Sequence, residues 1–169
     1  MNETILRTES IYEGRVVRLV LLDVQLPNGS LARRELVRHP GAVAIVALDS
    51  AQHLLLVRQF RIAADQILLE IPAGTLEPGE SPLDCAKREL QEETGFHPGR
   101  IESIGGIYVA PGYTTEFIHL FYATDLTASR LDGDADEFIE VERVPLTEAL
   151  AMIERGDIID GKSIAGILR

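Results

Sequence analysis

The stretch from Gly74 to Phe96 constrains this chain most: a tight loop, then one helix whose outer face is made of glutamates. Ser81 is placed to cap that helix, and Pro82 and Asp84 favour its first turn. Gly95, just after Thr94, can end it in the left-handed conformation. Leu83, Ala86 and Leu90 make an apolar stripe that can pack the helix down, while Gly74 and Gly79 let the preceding loop turn tightly. Glu89, Glu92 and Glu93 stand at i, i+3 and i+4, so their carboxylates leave the helix on one side. Like charges at those spacings cost roughly 0.2–0.5 kcal/mol per pair. Glu92 and Glu93 also lie near the helix C-terminus, where the dipole disfavours anions. Taken alone, the three glutamates read either as a solvated acidic face or as hard oxygen ligands. In the second case a divalent cation such as Mg²⁺ or Mn²⁺ turns the repulsion into attraction.

Gly74, Glu80, Arg88, Glu89, Leu90, Glu92, Glu93, Gly95 and Phe96 together match the pattern GX5EX7REUXEEXGU, U being a bulky apolar residue, without a gap. In this the chain resembles the Nudix hydrolases. The resemblance implies metal-dependent cleavage of a nucleoside diphosphate linked to another group. It implies a metal held by Glu89, Glu92 and Glu93, with the backbone carbonyl of Ala73 as a further ligand. It also implies an Arg88–Glu80 pair that braces the loop without touching the metal. Outside the box, residues 69–74 and 57–63 are similar to the corresponding stretches of ADP-ribose pyrophosphatases, which places Arg61, with Arg58 beside it, on the substrate diphosphate. A planar guanidinium suits that task because it can hold phosphate oxygens bidentately. Pro111, sixteen positions after Gly95, matches the proline that marks the ADP-ribose subgroup, and it fixes a loop at the ribose end of the pocket. Glu70 and Glu116, within these matching segments, complete the candidate substrate-binding set. The implied reaction turns ADP-ribose into AMP and ribose 5-phosphate. GDP-mannose, another nucleotide sugar, FAD or NADH are the alternative substrates, and a non-catalytic nucleotide-binding module is the alternative class.

The chain departs from the family in one place. Relatives carry a catalytic glutamate in an acidic loop before the last strand, and its position here falls on Ala135. Glu137 then becomes the candidate general base or added metal ligand, with Asp134 and Asp136 as substitutes. His39, His53, His97 and His119 lack metal-ligand spacing.

At 169 residues, with 46% hydrophobic and 25% charged residues, the composition is that of one globular domain with a real core. The net charge of -11 argues against a nucleic-acid partner, which needs basic surface. It is compatible with a small anionic substrate whose charge is met locally by metal and arginine. No apolar run approaches the ~20 residues of a membrane span, and the N-terminus lacks a signal-peptide pattern. Cys85 is the sole cysteine and reads as a packing residue, so a cytoplasmic location is expected.

Strands are expected over residues 11–15, 16–25, 31–38, 42–48, 54–60, 67–71, 101–110, 117–123 and 138–144. A C-terminal helix is expected over 147–154, with Leu146, Leu150 and Ile153 inward. The all-apolar strand at 42–48 belongs at the centre of a sheet covered on both faces. The expected architecture is a Nudix-type α/β/α sandwich with a mixed sheet over 39–169. A small antiparallel sheet over 1–38 adjoins it, and in relatives that region pairs with its copy, so a homodimer is expected. Two- or three-stranded units are marginal alone.

Overall fold

The computed structural model describes residues 1–131 and 138–169, and the chain separates into two compact units. The first comprises Met1–Gly41 and Tyr108–Phe117, the second Ala42–Ile107 and Ile118–Arg169. In the first, β1 (Thr4–Glu13), β2 (Arg18–Gln25) and β3 (Leu31–Arg38) form an antiparallel meander, with Thr4 opposite Gln25 and Arg18 opposite Arg38. The β2–β3 connection turns at Asn28, whose side chain accepts from the backbone N–H and hydroxyl of Ser30 at 3.1 and 2.7 Å. That use of asparagine is what its side chain favours in turns. β2 alternates, burying Val20, Leu22 and Val24 against Leu26, Ala32 and Leu36.

β1 differs from the sequence expectation. It starts at Thr4 rather than 11, and residues 14–17 turn, with Gly14 N–H donating to Val17 O at 2.9 Å. Pairing with the apolar β2 draws the mostly polar residues 4–10 into the ladder, where local pattern alone does not mark a strand. Every position of β1 is exposed, Ile5, Leu6, Ile11 and Tyr12 among them.

The second unit orders β4 (Ala42–Ala47), β5 (His53–Arg61), β6 (Gln66–Glu70), β7 (Ala73–Thr75), α1 (Pro82–Thr94), β8 (Phe96–Tyr108), β9 (Phe117–Ala128), β10 (Glu140–Pro145), α2 (Leu146–Arg155) and α3 (Gly161–Ile167). β4 lies between β7, antiparallel, and β9, parallel, in a mixed sheet of order β7-β4-β9-β8. β5 is not part of it: it centres a second sheet, β10-β5-β6, that meets the first through a single bridge between Leu48 and Leu54. The one sheet expected is therefore two, because the 49–52 turn redirects the chain. Asp49 ties that turn, its carboxylate accepting from Ala51 and His53 N–H at 2.9 Å each.

β4 shows why the layers stack as they do. Val43, Ile45 and Ala47 pack with Cys85, Ala86 and Leu90 of α1. Ala42, Ala44 and Val46 pack with Ala149, Met152 and Ile167 of the C-terminal helices. Period-two alternation thus places helices on both faces, an α/β/α layering, and leaves no polar position on the strand. α3, which the sequence pattern did not suggest, lies close enough that a Cβ on Gly166 would sit 3.0 Å from both Ile71 Cδ1 and Val46 Cγ2. Two helix faces are rotated from expectation. On α1, Cys85 rather than Leu83 joins Ala86 and Leu90 in the core. On α2, Leu146 and Ile153 pack against the core as expected, but Ala149 and Met152 are the buried residues and Leu150 is exposed. Among the described residues, no helix is long and apolar enough to cross a membrane.

This packing separates two leucines on the same helix. Leu90→Ala is expected to destabilise by about 2–5 kcal/mol, the cost of a buried cavity. Leu83→Ala, at an exposed site, stays within about 1 kcal/mol. Urea denaturation of both variants measures the contrast.

Candidate functional site

α1 begins and ends as its sequence dictates: Asp84 N–H donates to Ser81 Oγ at 3.2 Å, and Gly95, in the left-handed region, donates to Gln91 O. Its outer face is organised by Arg88. Nε and Nη2 form a fork on the two oxygens of Glu80, both at 2.9 Å, while Nη1 donates to Glu89 at 2.7 Å and to Glu92 at 2.9 Å. One guanidinium therefore serves three carboxylates. The Arg88 fork holds the Glu80 carboxyl at about 2, against the opposing effect of burial and with help from Glu77 N–H. The expected brace between helix and loop is present.

The loop reaches the glutamates through a missing side chain. A Cβ on Gly74 would fall 1.9 Å from Glu89 Cδ, so the carboxylate occupies the space a side chain would need. Gly74 thus provides close approach rather than an unusual backbone angle, which Gly79 (φ 83°) takes instead. Next to it, Ala73 N–H donates to Glu93 Oε2 at 3.0 Å, and Pro72 O accepts from Ile45 N–H at 2.8 Å. Glu93 is buried, unlike a solvated acid. Arg88 gathers Glu89 and Glu92, while Glu93 turns to the Ala73 backbone; among the described residues no three acidic, histidine or cysteine side chains are arranged as a ready metal-ligand group. The donor set itself suits a hard divalent cation: carboxylates on one helix face opposite a loop held against them without side-chain bulk. The Glu80 fork anchors Arg88 independently of its bonds to Glu89 and Glu92.

Behind the loop lies a second cluster. Arg61, at the end of β5, forms a fork on Glu70 at 2.9 and 2.7 Å. Lys162, from the first turn of α3, donates to the same carboxylate and, at 2.9 Å, to Asp160. The Glu70 side chain is only 1% exposed. Its burial alone would raise its pKa, but Arg61 and Lys162 outweigh that and hold it below the usual range. Arg61, raised chiefly by its bond to Glu70, also feels the charge of Glu93. Asp160 caps α3 by accepting from Ser163 N–H at 3.0 Å, and Ser163 Oγ accepts from Ile71 N–H at 2.8 Å. Residues 70–73 are thus held from both sides, by α1 through Glu93 and by α3 through Lys162 and Ser163.

The other sequence candidates lie elsewhere. Arg58 is paired at 2.6 Å with Glu142 on the exposed side of β5 and β10, away from the Arg61 fork. Pro111 opens a turn, with Tyr113 N–H and Thr114 N–H both donating to Ala110 O at 3.1 Å, and Glu116 N–H donates to Thr114 Oγ1; both residues belong to the first unit. Glu137, with Asp134 and Asp136, lies outside the described residues. Cys85 is buried in the core, and burial pushes its thiol well above the ordinary range, as suits a packing residue. Sequence reasoning missed Asp160, Lys162, Ser163 and also Gln59, whose buried Nε2 has no hydrogen-bond partner among the described residues. Asp160 standing three residues before Ser163 was the available sign, an N-cap at the right distance from a polar first turn.

The Glu80 shift has a definite sign. Its pKa is depressed in the folded state, so the stabilisation is present above the ordinary glutamate range and lost as pH falls toward 2. Glu80→Gln is expected to destabilise by about 1–3 kcal/mol at neutral pH. The difference from wild type should shrink between roughly pH 4.3 and 2, as followed by urea denaturation across pH.

A NUDIX domain model matches residues 38–166. The ADP-ribose pyrophosphatase of Bacillus subtilis is 40% identical over 169 residues, spanning 99% of this chain and 91% of that protein. The methanol dehydrogenase activator of Bacillus methanolicus is 41% identical over 168 residues, spanning 98% and 91%. The crystal structure of an ADP compounds hydrolase superposes with a TM-score of 0.87 at 26% identity, covering 99% of this chain and 91% of that one.

Proposed function

This chain belongs to the Nudix family as a Nudix hydrolase, and on that footing we propose that it hydrolyses the diphosphate of ADP-ribose to AMP and ribose 5-phosphate, using Mg²⁺ or Mn²⁺. One observation carries the reading: residues 70–73 bring the Arg61 fork and the Glu93 carboxylate to the two ends of a single short connector. A diphosphate needs both, a bidentate cation for its oxygens and carboxylates for the metal it arrives with. The names of the relatives support the substrate.

Glu89, Glu92, Glu93 and the Ala73 carbonyl would hold the metal. When bound, the cation supplies charge stabilisation at the phosphate oxygens and makes water a better nucleophile at neutral pH. Arg88 and Glu80 orient Glu89 and Glu92 and keep the loop against them, while Ala73 N–H orients Glu93. Arg61 exchanges Glu70 for substrate oxygens and aligns the diphosphate for in-line attack at phosphorus. Glu137 accepts the proton of the attacking water.

We assign the exposed β1 to a second copy of the chain, in a homodimer. Its ten residues are open on both faces and include Ile5, Leu6, Ile11 and Tyr12, which a three-stranded sheet cannot cover by itself. A cytoplasmic enzyme with a small-molecule substrate and no nucleic-acid partner fits the charge of -11.

A panel of ADP-ribose, GDP-mannose, FAD and NADH, assayed with Mg²⁺ by phosphatase-coupled phosphate release, tests the substrate. ADP-ribose is expected to give the highest kcat/KM, and a higher value for another member would move the assignment to it. Glu93→Gln and Glu137→Gln should each lower kcat by about 10²-fold or more. Arg61→Ala should instead raise KM about ten- to a hundredfold, the cost of a charge-assisted contact. Near wild-type rates for Glu93→Gln at saturating Mg²⁺ would sink the carboxylate assignment.

The assembly has its own measurement. Light scattering at micromolar concentration should give a dimer, and Leu6→Lys with Ile11→Lys should shift it to monomer. A fully active wild-type monomer at that concentration would contradict the assignment.

A further inference from the structure

The cluster behind the loop holds more charge than a simple ion pair requires. Glu70 accepts a full fork from Arg61 and a further bond from Lys162, which in turn is held by Asp160. The two cations differ in their freedom. The Lys162 side chain is 11% exposed and tied at both carboxylates, whereas Arg61 is 40% exposed. Lys162 is therefore built in, and Arg61 is the partner that can move.

A carboxylate as deeply buried as Glu70 cannot be left without a counter-charge; stripping one partner from a buried pair strands the other. If Arg61 were its sole cation, the fork would have to be broken at that cost before the guanidinium could reach a ligand. With Lys162 in place, Glu70 keeps a cation when Arg61 departs. We propose that Lys162 is a positioning residue that keeps Glu70 charge-balanced, so that Arg61 can leave it for the substrate diphosphate. This rests on the reading of Arg61 as the diphosphate-binding residue. The architecture around Lys162 supports a dedicated role: Asp160 caps α3 and holds the ammonium, and Ser163 of the same turn accepts from Ile71 N–H, next to Glu70. Lys162 is thereby delivered to Glu70 by backbone registered on the very connector that leads to Ala73.

The test compares Lys162→Met and Lys162→Arg with wild type, each alone and in a Glu70→Gln background, on whichever nucleoside diphosphate the wild-type enzyme cleaves best. Lys162→Met is expected to raise KM by about tenfold or more, since the fork then has a buried charge to abandon, while kcat stays within about threefold. Lys162→Arg should restore most of the loss. In the Glu70→Gln background no buried anion remains to balance, so Lys162→Met should leave KM unchanged. Thermal melting of each variant accompanies the kinetics, and Lys162→Gln replaces Lys162→Met if the latter does not fold. An unchanged KM for Lys162→Met in an active enzyme overturns the inference, as does an equal KM rise in both backgrounds, or a loss confined to melting temperature and kcat. A wild-type protein that cleaves no diphosphate overturns the functional reading, and this inference with it. The two failures are thus told apart by the wild-type activity.

Discussion

The site depends on the Arg88 guanidinium. It sits between Glu80 of the loop and Glu89 and Glu92 of the helix, and its bonds to all three allow like charges to share one helix face. It offsets the Coulomb repulsion among partly desolvated carboxylates that would otherwise weaken the last turns of α1 and its contact with the loop. The loop position fixes β7, and β7 pairs with β4, the central strand. Arg88 thus adds a polar tie between helix and sheet to the apolar one that Cys85, Ala86 and Leu90 make with β4. A lysine could not replace it, because a point charge lacks the fork that leaves Nη1 free for the glutamates while Nε and Nη2 hold Glu80.

A second, independent charge system lies on the other side of the same connector. Glu70 and Glu93 flank Ile71, Pro72 and Ala73; the first is satisfied from β5 and α3, the second by the connector's own backbone. Three residues of backbone thus separate a neutral, closed cluster from an acidic set suited to cations. On the proposed reading, the cation that meets the substrate is drawn from this local reserve of arginine and lysine rather than from the overall field.

The helix at 82–94, its caps, the Arg88–Glu80 brace and the buried strand at 42–47 were legible in the sequence, because each is written in adjacent residues with a fixed period. What was not legible depends on distant partners. β1 takes its first residues from pairing with β2, not from its own pattern. The inward faces of α1 and α2 are set by how each helix lies on the sheet, which buries Cys85 and Ala149 and leaves Leu83 and Leu150 exposed. Lys162 escaped notice because nothing near it in sequence marks it; its meaning arises only when α3 folds back onto Glu70, ninety-two residues away.

Gly166 gives that last contact an unexpected guardian. It touches no charged group, yet α3 lies on Ile71 and Val46 only because this residue has no side chain. A Cβ there would crowd Ile71 Cδ1 and Val46 Cγ2 at 3.0 Å, and any shift of α3 that relieved it would carry the Lys162 ammonium, four residues earlier, along. An apolar close approach one helical turn away thus bears on the spacing of an ion pair.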